Sequence, residues 1–321
     1  MTLETSSHNR KTHKTHRNRR LITVLGASLA LCCVVIGFWT AYDNLSFNPN
    51  GEIAYECFDE ISRRTNICSV MADASNQRML TALSGESTSP TWSPSGERLA
   101  FINFQNQRFG VYVYNYSSQV VEAIWQADDD TPRDGLRHVV WSPIGNMLLL
   151  HGIIDDQNGL YNLDLDQEIL EPTLTAETGL AYPHSPAYST NGLQIYYMDS
   201  SAMYRVDATG SSREKLPEIC QDMAISPIET TALCNDGPHR FYFMNLDNWT
   251  RNSHTNWSIL LSGFGQSAWS PDGEHIVYVQ TYWPRFLHPN GELWIMRADG
   301  SHPVKLTNGP NDRNPVWRPQ P

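Results

Sequence analysis

A chain of 321 residues with 40% apolar and only 18% charged side chains can bury one large core or two ordinary ones; Lys and Glu are sparse beside Tyr, Trp, Val, Ile, Ser, Thr, Asn, Gly and Pro, which favours strands and turns over helices. The formal charge of −11 is uneven, because residues 1–20 hold six Lys/Arg against one Glu and the remainder holds 17 Lys/Arg against 33 Asp/Glu. Such an acidic body repels phosphate backbones and argues against nucleic acid as a partner.

In chain order, the first element is a basic tail, 1–20, with Arg10, Lys11, Lys14, Arg17, Arg19 and Arg20. Its Lys-Thr-His repeats at 11–13 and 14–16 read as a solvated tract that sets topology and touches anionic lipid, with metal binding as the alternative. Residues 21–42 contain no charge. As a helix they span ~33 Å, enough for a hydrocarbon core of ~30 Å. Trp39 and Tyr42 stand at the outer end, where amphipathic rings prefer the interface. Positive charge stays in the cytoplasm, so the spacing predicts a single-pass protein with its amino terminus inside and everything after Asp43 outside. A cleaved signal peptide is the competing reading. The run is longer than the usual ~7–15 apolar residues of such a peptide, Trp39-Thr40-Ala41 is a poor cleavage site, and Leu29-Ala30-Leu31-Cys32 is an imperfect lipobox. The expectation is therefore an uncleaved signal anchor followed by a short linker, 43–50.

From residue 51 one pattern recurs. Its fullest copy is Ser267-Ala268-Trp269-Ser270-Pro271-Asp272-Gly273-Glu274-His275-Ile276-Val277-Tyr278-Val279, then Glu292-Leu293-Trp294-Ile295-Met296, Ala298-Asp299-Gly300-Ser301 and Val304-Lys305-Leu306-Thr307. A short strand, a tight turn, a buried strand, an alternating strand and a final outer strand make one four-stranded antiparallel blade. The opening position is occupied in turn by Trp92, Trp141, Tyr188, Ile225, Trp269 and Trp317. A period of ~40–50 residues with four strands per unit is the propeller signature. Residues 52–82 supply only three strands, and Pro315–Arg318 opens a unit that does not continue. The expectation is an all-β, six-bladed propeller over 51–321 whose first blade is completed by the carboxy-terminal strand. Trp92, Trp141, Trp269 and Trp317 are expected as wedges between blades.

These repeats resemble the TolB-like β-propeller family, relatives of the WD-type repeats: Trp-Ser-Pro-Asp-Gly, a strand ending Val-Tyr, then Asp-Gly-Ser and Leu-Thr. The resemblance covers about residues 51–321 and implies fold more than function. Only Asp272 keeps the turn aspartate, and the fifth unit has lost both Trp and Gly. The α/β domain that precedes the propeller in TolB has no counterpart here, so TolB's own partner role does not carry over. Membrane-anchored propellers with this repeat are expected to be bacterial.

Six cysteines fall in three pairs. Cys32/Cys33 lie in the apolar run and read as small hydrophobes. Cys57/Cys68 and Cys220/Cys234 flank predicted turns; the extracytoplasmic topology favours disulfides, and four free thiols are the alternative. They map to the second and third strands of the first blade and the first two strands of the fifth, where a staple offsets weak consensus packing.

No Gly-x-Ser-x-Gly, His-Glu-x-x-His, phosphate loop or Gly-x-Gly-x-x-Gly occurs. The blade-to-blade loops and those joining second to third strands share one face, and two of them are distinctive. Loop 127–138 carries Asp128, Asp129, Asp130, Arg133 and Arg137; its aspartates read as a calcium or cationic-partner site, or as a solvated acidic loop. Loop 281–291 carries Tyr282, Trp283, Arg285, Phe286 and His288, a patch of the residue types that dominate interfaces, or a loop folded back on its blade. Asp312 and Arg313 are expected on the same side. His151, His184 and His239 are scattered and predict no metal site. Asn44, Asn115, Asn248 and Asn256 begin Asn-x-Ser/Thr, which matters only in a host that glycosylates secreted proteins. The chain thus reads as a monomeric, non-catalytic, membrane-tethered propeller without a cofactor that presents its loop face to a protein or glycan partner in the cell envelope. The alternative is a glycan lyase or hydrolase with a metal in the central channel.

Overall fold

The computed structural model describes residues 47–127, 135–175, 183–228, 230–235, 241–252, 262–282 and 291–320. The basic tail, the uncharged run 21–42 expected as an anchor, and most of the linker lie outside these residues. Among the described residues the strands form six four-stranded antiparallel sheets.

The first blade is β1 (Glu52–Asp59), β2 (Arg64–Met71) and β3 (Arg78–Met79), and the second is β4 (Glu86–Trp92), β5 (Arg98–Gln105), β6 (Arg108–Asn115) and β7 (Val120–Gln126). The third is β8 (Leu136–Trp141), β9 (Met147–Ile154), β10 (Gln157–Asp164) and β11 (Ile169–Thr175). The fourth is β12 (Pro183–Tyr188), β13 (Gln194–Asp199), β14 (Ala202–Asp207) and β15 (Glu214–Lys215). The fifth is β16 (Asp222–Ile225), β17 (Thr231–Asn235), β18 (Phe241–Asn245) and β19 (Thr250–Asn252). The sixth is β20 (Ser262–Trp269), β21 (His275–Tyr282), β22 (Gly291–Arg297) and β23 (Val304–Lys305). The last strand, β24 (Arg313–Trp317), pairs with β1 rather than with its sequence neighbours, in the order β24–β1–β2–β3. Its register sets Trp317 opposite Ile53 and Val316 opposite Ala54. The two ends of the domain therefore share one blade, and the six-bladed ring closes as the repeat count predicts.

The innermost strands β4, β8, β12, β16, β20 and β24 touch one another in turn around the axis. Second strands are covered on both faces by neighbouring blades, which is why Leu99–Ile102, Leu148–Leu150 and Ile195–Met198 read as continuous apolar runs and are buried throughout. Outer strands such as β7 and β19 are mostly exposed and correspondingly polar. Trp92, Trp141 and Trp317 are buried between blades. Trp269 is half-buried and donates its indole Nε1–H to the Ala224 carbonyl of the preceding blade at 2.9 Å.

Turns between first and second strands interlock. Gly192 and Gly273 have φ of 70° and 71°, and a Cβ on either would lie 2.6 and 2.5 Å from Ile144 and Ile228 of the blade before. The missing side chain lets each neighbour's isoleucine seat against the turn.

Both outer cysteine pairs are disulfides, Cys57–Cys68 and Cys220–Cys234, with Cα–Cα separations of 5.8 and 5.1 Å. Cys57 and Cys68 lie diagonally across the β1–β2 ladder. Cys220 sits two residues ahead of β16 rather than within it; the Gln221 N–H to Asn235 C=O bond of 2.9 Å carries the ladder out to that point.

Candidate binding site in the central channel

Each innermost strand approaches the axis with its first half. Counting back from the aromatic marker, the residue three positions earlier is Ser89, His138, Ser185, Asp222, Gln266 and Asn314 in the six blades. Five of these, His138, Ser185, Asp222, Gln266 and Asn314, line one cavity of about 130 Å³ together with Pro186, Met223 and Ser267. Ser89 occupies the equivalent place in the remaining blade.

The ladder supplies the reason these side chains leave it. A register shift falls between Thr88 and Thr91, Leu136 and His138, His184 and Ala187, Phe264 and Ser267, and opposite Ala54–Glu56 for β24. Ser89, Ser185 and Asn314 have φ of 55°, 50° and 48°. A bulge of this kind frees residues from pairing and re-aims them, as at Ser89, Ser185, Gln266 and Asn314; in β8 the skipped residue is Arg137, with His138 still opposite His151, and β16 runs without a shift, with Asp222 opposite Asn235. The freed residues are small or amide-bearing at all three left-handed positions, where Asn and short polar side chains are tolerated.

Hydrogen bonds hold the tier. Ser89 Oγ accepts from the Val139 N–H at 3.0 Å, linking the second blade to the third. Ser185 Oγ donates to Asp222 Oδ1 at 3.4 Å, linking the fourth to the fifth. Glu56, buried on β1, accepts from the Ser89 N–H at 2.8 Å and from Asn314 Nδ2, while Arg313 Nε stands 3.7 Å from its other oxygen. One carboxylate thus ties the closing strand to the next blade at the channel wall.

Burial keeps the imidazole of the tier neutral. Desolvation pushes His138 down to about 4, with His184 and Arg137 adding in the same direction. Its stacking partner His151, 5.7 Å away between ring centroids, is pushed down to about 3 by the same causes. Burial raises Asp222, opposed by the Ser185 hydroxyl. Imidazole, hydroxyl and amide groups therefore offer both donors and acceptors around a narrow opening.

Of the residues singled out in the sequence, Arg137 and Arg313 stand one residue before the tier in the third and first blades, with Arg137 exposed and Arg313 half-buried. Asp312 is 1% exposed, donates its N–H to the Gly291 carbonyl at 2.8 Å, and is pushed up to about 6 by burial. Tyr282 ends β21, and Trp283, Arg285, Phe286, His288, Asp128, Asp129, Asp130 and Arg133 lie outside the described residues. The tier itself went unread in the sequence, although its signal is present: the third position before each marker is polar in all six repeats. Among the described residues the metal-capable groups that come within ligand distance of one another are Asp272, Glu274 and His275, in a first-to-second-strand turn where Asp272 already accepts from Ser270 Oγ and the Glu274 N–H.

The fold recurs in solved structures at low identity. TolB from Acinetobacter baumannii superposes with a TM-score of 0.68 at 20% identity, over 87% of this chain and 70% of that one. A putative TolB from Agrobacterium tumefaciens gives 0.60 at 16% identity, over 82% and 91%. A chain of a nidogen/laminin complex gives 0.64 at 10% identity, over 84% and 99%. At these identities the likeness is one of fold. The model of the TolB beta propeller domain matches residues 50–321, and the chain belongs to that family.

Proposed function

We propose that the propeller is a binding module of the cell envelope, tethered by the 21–42 segment outside the cytoplasmic membrane, and that it takes a segment of a protein partner into the mouth of its channel. The six-membered polar tier carries this reading. A ring of mixed donors and acceptors suits the N–H and C=O groups of an inserted polypeptide. The two arginines one residue above it, Arg137 and Arg313, suit a partner carboxylate, since guanidinium–carboxylate pairs are among the stronger and more directional contacts.

Crosslinking in native membranes tests it. An Arg137→Ala/Gln266→Ala variant is expected to lose a protein that wild type captures, while a Trp283→Ala/Arg285→Ala variant weakens capture less. The reverse order moves the contact to loop 281–291. Identical recovery from all three removes this face from the function, and capture of glycan in place of protein replaces the partner class.

A further inference from the structure

The opposite end of the inner strands carries the first-to-second-strand turns. In the second and sixth blades their tips are polar, with Ser95 and Asp272. In the third and fifth the same position holds Ile144 and Ile228, and in the fourth, whose tip is Asn191, Leu193 follows the turn glycine; Ile144, Leu193 and Ile228 are 50%, 60% and 63% exposed. Ile144 and Ile228 are seated against Gly192 and Gly273, which places them on a fixed surface. Beside them opens a groove of about 440 Å³ whose walls include Trp141, Pro143, Tyr188, Ile225 and Pro227, and a second of about 370 Å³ in which Ile225, Pro227, Ile228 and Leu246 meet Asn191, Arg205 and Asp247. Exposed aliphatic side chains gathered on one face mark an interaction site.

The chain leaves the propeller on this same face. The Asn50 carbonyl accepts from Trp317 Nε1 at 3.2 Å, and Arg318 Nε donates to the Gly96 carbonyl of the second blade's turn at 2.8 Å. Upstream, residues 43–48 are all that separate Pro49 from the uncharged run 21–42. Fully extended, six residues reach only ~20 Å. With 21–42 in a bilayer, the turn face is the one kept next to it.

We infer that the aliphatic turns of blades three to five rest in the interfacial layer of the membrane that holds the chain, with lipid as their occupant. The inference rests on the anchored reading above. Aliphatic tips gain from burial at the headgroup–acyl boundary. Asp166 and Asp247, in turns of the third and fifth blades, give the same face negative charge. Contact is therefore closer on zwitterionic than on anionic lipid. The tether fixes orientation as well: the channel mouth and its polar tier point away from the bilayer.

The test uses the full chain with Cys32→Ser and Cys33→Ser, the two disulfides kept, and one nitroxide attached at Leu193→Cys or, at the other end of β13, at Ser201→Cys. Both are reconstituted in phosphatidylcholine vesicles, and collision with oxygen is compared with collision with a water-soluble nickel chelate. The label at 193 is expected to favour oxygen by several-fold over the label at 201, with a smaller excess when phosphatidylglycerol is included. Equal preference at both positions, in vesicles that retain the protein through an alkaline carbonate wash, overturns lipid contact and leaves the anchor standing. Loss of the protein in that wash removes the anchor, and the inference falls with it. A label at 193 that is shielded from both reagents and broadened by spins on other copies assigns the face to a second molecule instead.

Discussion

Trp317 tests the ring closure most directly. Its side chain is buried, its indole Nε1–H reaches the Asn50 carbonyl at 3.2 Å, and it stacks with His275 of the sixth blade at 6.5 Å between centroids. It therefore joins three parts of the ring: the closing strand, the start of β1 and the blade before. Trp317→Ala removes that contact and leaves a cavity, a change that costs ~3–5 kcal/mol in a core. For a domain of this size 1 kcal/mol shifts Tm by ~2–4 °C, so a fall of about 10 °C is expected. Ile61→Ala, at a side chain 95% exposed, is the control and is expected to shift stability by less than ~0.5 kcal/mol. Deletion of residues 312–321 goes further. It strips β1 of its partner, leaves the buried Glu56 without Asn314 and Arg313, and removes Arg318 from the faces of Trp92 and Tyr116. No cooperative transition should survive it. Differential scanning calorimetry decides: a deletion variant that melts within a few degrees of wild type, or a Trp317→Ala loss no larger than that of Ile61→Ala, refutes closure through β24.

Four further outcomes follow from the geometry. Asp312, pushed up to about 6 in the folded state from 3.8, binds more protons folded than unfolded between those values, so it lowers stability progressively as pH rises through that window and fully above it; Asp312→Asn should raise Tm at pH 7.5 and give no gain at pH 4. His138 and His151 act in the opposite sense, because their folded values lie below 6.5 and protonation of the unfolded chain drains stability as pH falls from 6.5 toward about 4 and about 3; His138→Gln should flatten that part of a Tm–pH profile. Gly273→Ala places a Cβ on Ile228 at a φ of 71° and should cost ~1–2 kcal/mol by urea denaturation, part of it recovered in Gly273→Ala/Ile228→Ala, where the clash but not the backbone strain is relieved. A thiol count under denaturing, non-reducing conditions should find only Cys32 and Cys33, and reduction of the 14-residue Cys220–Cys234 link should cost ~3 kcal/mol.

The architecture was legible because it is written in residues whose physics is local. Ser-Pro-x-Gly after an aromatic marks a turn wherever it stands; it follows Trp92, Trp141 and Trp269, and with the weaker openings at Tyr188, Ile225 and Trp317 it counts the blades without any knowledge of contacts. Even the fifth unit, with Ile225 for Trp and no glycine in its turn, keeps its place because β17 retains the buried Ala232-Leu233-Cys234 run and the disulfide from Cys220. The cysteine pairing was legible for a related reason: each pair brackets one hairpin. The position of Cys220 was less so, since strand limits depend on which backbone groups find partners across the ladder. Asp312 shows a different limit. Its neighbours Asn311 and Arg313 are polar, and nothing local distinguishes an aspartate that covers a surface from one buried under Gly309 and Thr307.

The channel tier stayed hidden because its members share a place and not a chemistry. Serine, histidine, aspartate, glutamine and asparagine have no common signature, and in a regular strand a residue three before a buried aromatic has no special role. Four of the six, Ser89, Ser185, Gln266 and Asn314, stand at a register shift of their inner strand, and that shift exists only when the neighbouring strand is in place. Folding selects their position and leaves their identity free, which is the condition under which a repeat protein can diversify a site. The aromatic markers and turn glycines are set by packing between blades in most copies; that packing does not set the type of the residue that faces the axis. Divergence of that one position around an otherwise uniform ring is the pattern expected of a surface that reads a partner. The same logic applies to the opposite face, where Ile144 and Ile228 stand at the tip position that Ser95, Asn191 and Asp272 hold in the other turns.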